Sequence, residues 1–209
     1  IENDKLKSLK PFPPKKIRPC VFEYIYFSRP DSVLNGECAY EYRKRLGAEL
    51  AKESSLDTDV VVPVPDSGNA AAIGYSKHSG INFELGLIRN HYVGRTFIEP
   101  AQKIRSFGVK LKLNANKSSI KNKKIVLIDD SLVRGTTSHK IVNMLYDAGA
   151  KEVHMRIACP EIKFPDFYGV DMPTKKELLA ANKTVEEICK YINAKSLKFL
   201  SIDGLYRAI

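Results

Sequence analysis

Apolar positions along the chain follow two periodicities that alternate. Val60–Val64 and Ile125–Ile128 are continuous, β-branched-rich runs, the pattern of strands buried on both faces. Glu152–Ala158 alternates instead, with Val153, Met155 and Ile157 on one face, and Leu197–Ser201 reads as an edge strand. Cys20–Phe27, full of aromatic and β-branched residues, and the short Asn82–Leu87 are further strand candidates. Helical spacing fills the intervals. Cys38–Glu53 sets Tyr42, Leu46 and Leu50 against Arg43, Lys44 and Lys52, and Asn69–Lys77 is a helix of small residues. His139–Ala148 carries Ile141, Met144 and Leu145 on one face. Thr174, with Glu177 at capping-box spacing, predicts a helix over 175–181; Thr184 and Glu187 predict another to Ile192, before a short terminal helix Asp203–Ala208. The alternation predicts an α/β fold: a mostly parallel, twisted sheet flanked by helices, with a right-handed β-α-β crossover between Ile125–Ile128 and Glu152–Ala158.

Other stretches lack a period. Residues 1–19, rich in Lys and broken by Pro11, Pro13, Pro14 and Pro19, read as an extended linker from mid-protein, which leaves 20–209 as the folded domain. Ser28–Glu37 is a loop around Pro30, Asp31 and Asn35-Gly36. Residues 89–114 carry Arg89, His91, Arg95, Lys103, Arg105, Lys110 and Lys112 between Gly94, Pro100 and Gly108. So long a structureless stretch inside a domain reads as a lid or as disorder, and its charge suits closure over a polyanion.

The strongest chemistry lies in residues 124–138. A buried strand ends on Asp129 and Asp130, passes through Ser131, Arg134, Gly135, Thr136, Thr137 and Ser138, and enters a helix. A helix N-terminus behind a glycine and hydroxyls favours a phosphate. The carboxylates would repel that phosphate, and serve better on sugar hydroxyls or a metal. A ribose 5-phosphate with Mg²⁺ meets all of these requirements. A plain helix cap explains Thr-Thr-Ser alone, but not the whole order of residues. No Gly-Lys-Ser/Thr makes it a Walker loop. A receiver domain also ends a strand on Asp-Asp, but at its start and without a hydroxyl-glycine loop. Val60–Val64 runs into a second polar loop, Pro65-Asp66-Ser67-Gly68, and two strand-end loops of one parallel sheet can converge on one ligand.

Composition narrows the field. The chain has 209 residues, 44% hydrophobic and 28% charged, as in a soluble globular protein, with no apolar run long enough for a membrane span and no signal peptide. The net charge of +10 would suit nucleic acid, yet no zinc-finger spacing, RNA-binding aromatic motif or uniformly basic helix accompanies it. Cys20, Cys38, Cys159 and Cys189 share no metal-ligand spacing and read as free thiols of a reducing cytoplasm.

Residues 125–138 resemble the phosphoribosyl-diphosphate (PRPP) signature of the type I phosphoribosyltransferase family. With Phe22–Asp31, Pro65–Gly68, Asn90–Ile98, Lys112–Asn114 and Phe167–Asp171, most of the chain is similar to the branch that joins a glutaminase to a phosphoribosyltransferase at the opening of purine synthesis. The resemblance implies a type I phosphoribosyltransferase fold, with PRPP and ammonia giving 5-phosphoribosylamine and pyrophosphate. PRPP would contact Asp66, Ser67, Gly68, Asp129 and Asp130, and the loop Ser131, Val133, Arg134, Gly135, Thr136, Thr137 and Ser138. Ser67, Asp129 and Asp130 would hold Mg²⁺, and Arg89, Tyr92 and Arg105 would be lid residues, with none assigned a certain catalytic role. Purine nucleotides would inhibit at the same loop, in a cytoplasmic homo-oligomer bound to neither nucleic acid nor membrane. The glutaminase part is not in this chain. No iron–sulfur cluster is expected: Cys20 matches a family cysteine, but Asp166 stands where another ligand would be and the chain shows no Cys-x-x-Cys tail. Two alternatives stay open, a base-salvage phosphoribosyltransferase and a PRPP-sensing regulator that is not an enzyme.

Overall fold

The computed structural model describes residues 8–16, 18–90, 113–166 and 174–209. In chain order, a π-helical turn at Glu23–Phe27 leads to a small hairpin, β1 (Val33–Leu34) and β2 (Glu37–Cys38), turned by Asn35 and Gly36 at positive φ. Helix α1 (Ala39–Glu53), strand β3 (Val60–Pro63) and helix α2 (Asn69–Ser79) follow. Strands β4 (Leu87–Arg89) and β5 (Leu113–Ala115) pair antiparallel, and a single turn, α3 (Lys117–Ile120), leads into the central strand β6 (Lys124–Asp129). Then come α4 (Thr136–Asp147), β7 (Glu152–Ile157), a 3₁₀ turn at Lys175–Glu177, α5 (Leu179–Asn182), α6 (Val185–Tyr191), β8 (Ser196–Phe199) and α7 (Ile202–Ala208).

The main sheet has the order β3-β6-β7-β8 and is parallel throughout. Ile125, Val126, Leu127 and Ile128 have no exposed surface, as their unbroken apolar run requires. Each such side chain contributes roughly 1.5–3 kcal/mol by leaving water. On the far side of β3, Phe83 makes one parallel bridge to Val61. The chain therefore leaves β3 through α2 towards one side of the sheet, and leaves β6 through α4 towards the other. The reversal falls between β3 and β6, and the crevice beyond their carboxyl ends is the switch point where open α/β sheets bind ligands.

Three elements differ from the sequence pattern. Cys20–Phe27 is not a strand, although its residues favour one. Tyr24 and Ile25 are both buried, a turn's pattern rather than an alternation. The turn is held by Arg43 of α1, which donates to the carbonyls of Tyr24 (3.1 Å), Ser28 (2.7 Å) and Glu23 (3.5 Å). A long-range cation thus overrides local β-propensity. Asn82–Leu87 is reduced to the Phe83 bridge, because the chain turns at once through Gly86 N–H donating to Glu84 O (2.9 Å). The helix over 175–181 is broken at Leu178, whose extended backbone (φ −75°, ψ 112°) lets its side chain bury completely; Thr174 makes no side-chain cap. By contrast the Thr184–Glu187 capping box forms in both directions. Of 89–114, only Arg89, Asn90, Leu113 and Asn114 are described; the rest of that stretch, with Tyr92 and Arg105, and the Phe167–Asp171 segment lie outside the described residues. Among the described residues, no helix is long and apolar enough to cross a membrane.

Arg43 is 6% exposed, so its loss would strand buried carbonyls. Arg43→Met is expected to lower unfolding stability by roughly 2–4 kcal/mol, read as a shifted urea midpoint with an unchanged slope. An unshifted midpoint would contradict this account of the turn.

Candidate functional site

Strand β6 delivers Asp129 and Asp130 to the mouth of the crevice, at 8% and 7% exposure. The Asp130 N–H donates to Asp129 Oδ1 (3.0 Å), and the Ser131 hydroxyl donates to Asp130 Oδ2 (2.6 Å). Burial first, and then the adjacent Asp130 carboxylate, hold the Asp129 carboxyl well above the usual carboxylate range, while the Ser67 hydroxyl pulls it down. The Arg43 guanidinium, lowered from its ordinary value by burial, feels the Asp130 carboxylate as its largest opposing influence. Behind the pair, the Cys159 thiol is pushed up mainly by burial and also by Asp130. This corner therefore concentrates negative charge that the described residues only partly balance.

Ser67 reaches Asp129 because β3 and β6 lie side by side in register, Pro63 opposite Ile128. The loop after β3 packs tightly against that neighbour. A Cβ on Gly68 would sit 2.5 Å from the Ile128 carbonyl oxygen and 2.9 Å from that of Val64, so any larger residue would push the loops apart. Close approach to protein backbone already explains this glycine. The Pro65–Asp66 peptide is cis. Asp66 forms an ion pair with Arg89, which ties the base of the β4–β5 ribbon to this loop. The Asn69 Oδ1 atom, at the start of α2, is buried with no hydrogen-bond partner among the described residues.

The loop after β6 ends at Gly135, which occupies the left-handed region (φ +71°) as the N-cap of α4. That conformation starts the helix at Thr136, three residues before the His139 start that the sequence pattern predicts, so Thr136, Thr137 and Ser138 form its first turn. No side chain caps this end, which leaves its backbone N–H groups for an anion. Thr136 and Thr137 are exposed; Ser138 and Leu132 are buried. Val133 accepts a hydrogen bond at its carbonyl from Leu179 N–H (2.9 Å), and the Arg134 Nε donates to Glu177 (3.2 Å). Arg134 is thus aimed at the 3₁₀ turn.

The structure brings both loops to one crevice, with an acidic pair and Ser67 between them. Among the described residues no group of three or more His, Cys, Asp or Glu is arranged to hold a metal. Two carboxylates and a hydroxyl nonetheless fit Mg²⁺, a hard cation that keeps waters and takes further oxygens from a phosphorylated substrate. Sequence reasoning missed three participants: Arg43 behind Asp130, Asn69 in the first loop, and the 177–191 layer that supports the second. Each is distant in sequence from the residue it serves or sits in an unremarkable helix pattern; only Asn69, next to the Pro-Asp-Ser-Gly loop, carried a local signal.

The raised folded-state pKa of Asp129 has a definite consequence for the unliganded protein. Its stabilising contribution is full below the ordinary carboxylate pKa and is lost as pH rises through the raised value. Asp129→Asn, neutral at every pH, is therefore expected to unfold at higher urea than wild type at pH 8, with the gap closing towards pH 3. A gap independent of pH would contradict the assignment.

No protein-family model matches the chain. It is 62% identical over 201 residues to an amidophosphoribosyltransferase of Rhizobium etli, covering 96% of this chain and 40% of that protein. It is 57% identical over 190 residues to the amidophosphoribosyltransferase of Methanocaldococcus jannaschii, covering 91% and 40%. Its fold is similar to that of the glutamine PRPP amidotransferase from B. subtilis complexed with ADP and GMP, with a TM-score of 0.82 and 53% identity over 90% of this chain and 42% of that one. The chain thus spans about two fifths of the length of the curated relatives it matches.

Proposed function

The chain belongs to the amidophosphoribosyltransferase family over the two fifths of those proteins that it spans, and from that premise we propose that it forms the site converting PRPP and ammonia into 5-phosphoribosylamine and pyrophosphate. The observation that carries the reading is the convergence, at the β3–β6 switch point, of a buried carboxylate pair with an uncapped helix end. In the whole protein the ammonia would come from glutamine, through a glutaminase part outside this chain. The setting would be a cytoplasmic homo-oligomer, and four free thiols agree with a reducing compartment. Purine nucleotides would inhibit by occupying the same phosphate loop; the B. subtilis neighbour carries ADP and GMP.

The roles follow from charge. The N–H groups opening α4 and the Thr136 and Thr137 hydroxyls take the 5-phosphate. Asp129 and Asp130 hold the ribose hydroxyls and, with Ser67, the Mg²⁺, whose bound charge offsets that of the pyrophosphate. The Pro65–Gly68 loop lies at the pyrophosphate end, where Arg89 supplies a cation now paired with Asp66. As the bond from C1 to pyrophosphate breaks, positive charge grows on the sugar, and nearby carboxylates favour it. Neutral ammonia attacks C1 through its lone pair and then loses a proton to solvent, so no strong general base is required. Arg89, with Tyr92 and Arg105 of the adjoining stretch, would exclude water by closing over the substrate.

Incubation with PRPP, Mg²⁺ and ammonium at alkaline pH is expected to release pyrophosphate without glutamine. A folded chain that binds PRPP yet releases none would sink the enzyme reading. Replacing both Asp129 and Asp130 by Asn is expected to weaken Mg²⁺-dependent PRPP binding on the order of 100-fold or more, since it removes the charged ligands. Unchanged affinity in calorimetry would refute their role.

A further inference from the structure

The phosphate loop is shaped from behind by the end of a helix that carries no proposed ligand contact. Gly135 faces Leu179 and Tyr191: a Cβ there would lie 2.5 Å from Leu179 Cδ2 and 3.2 Å from Tyr191 Cε1. The Tyr191 ring stacks on His139 in the first turn of α4, with centroids 5.8 Å apart and planes 30° apart. His139 Nδ1 lies 2.7 Å from the Tyr191 carbonyl oxygen, which can only accept, so Nδ1 carries the proton. In the neutral ring Nε2 is then the acceptor, and Asn143 Nδ2 donates to it at 3.0 Å. Asn143 Oδ1 in turn accepts from Asn193 Nδ2 at 2.7 Å. The donors all run one way, from Asn193 through Asn143 and His139 to the end of α6.

Tyr191 is not what anchors α6. Its side chain is 40% exposed, whereas Ile188 and Ile192 have no exposed surface and tie the helix to the core. Tyr191 instead faces the left-handed glycine and stacks on the histidine, the two residues that bracket Thr136–Ser138. We propose that Tyr191 is a positioning residue for the 5-phosphate, acting through Gly135 and His139 to fix the direction of the N–H groups that open α4. This rests on the reading of residues 131–138 as the 5-phosphate loop. Among the described residues Tyr191 makes its ring and hydrogen-bond contacts at the α4 end and none at the pyrophosphate end, Pro65–Gly68, which should not respond.

The test titrates ribose 5-phosphate and Mg²⁺-pyrophosphate separately into the full 209-residue chain. Tyr191→Ala is expected to weaken ribose 5-phosphate roughly tenfold, as loss of an outer supporting contact does, and to leave Mg²⁺-pyrophosphate unchanged. Tyr191→Phe, which keeps the stacked ring and the backbone carbonyl, should restore wild-type binding. Tyr191→Ala combined with His139→Ala should weaken ribose 5-phosphate by less than the product of the two single effects, because both act through one path. Equal weakening of both ligands, multiplying effects, or unchanged ribose 5-phosphate affinity in Tyr191→Ala would overturn the proposal. Wild type that bound no ribose 5-phosphate would overturn the reading of the loop, and this proposal with it.

Discussion

Two carboxylates are held side by side at the end of a strand that is buried on both faces, and the site is built around that constraint. Asp129 and Asp130 cannot both ionise cheaply there. Among the described residues the pair is offered one buried guanidinium, at Arg43, with the Ser67 hydroxyl on Asp129 and the Ser131 hydroxyl on Asp130, which is not enough. The remaining demand is for a cation from outside. The same strand end meets the opening of α4 a few residues later, where the demand is for an anion. The proposed ligand, a phosphorylated sugar with Mg²⁺, would answer both needs at once.

Packing makes this juxtaposition durable. The β3–β6 register brings Ser67 to Asp129, and Gly68 lets the first loop lie directly on the Ile128 carbonyl. Arg43 serves two ends: it closes the Glu23–Phe27 turn through three carbonyls and sits within the field of Asp130. On the other side the 3₁₀ turn, α5 and α6 support the second loop at Val133, Arg134, Gly135 and His139. The break at Leu178, which costs a continuous helix, frees the Leu179 N–H for Val133.

Much of this was legible in the sequence, for reasons that differ by element. The strands around Val60–Pro63 and Lys124–Asp129 showed themselves because double burial leaves an unbroken apolar run. The Thr184–Glu187 box was legible because both of its partners are local. Cys20–Phe27 was misread because its conformation is set by Arg43, some twenty residues away, against the preference of its own side chains. The 175–181 helix was misread because the cap spacing said nothing of Leu178's need to bury. In the site, carboxylates, hydroxyls and glycines declared themselves by type and order. The residues that hold them, Tyr191 and His139 among them, are ordinary helix positions until the fold places them behind Gly135.

The central claim is that the acid pair makes sugar-phosphate binding depend on a divalent cation. Calorimetric titration of PRPP into the wild-type chain, once with Mg²⁺ and once with chelator, tests it most directly. Binding that is tight with Mg²⁺ and lost or greatly weakened without it is the predicted result. Equal affinity in the two titrations would contradict the account.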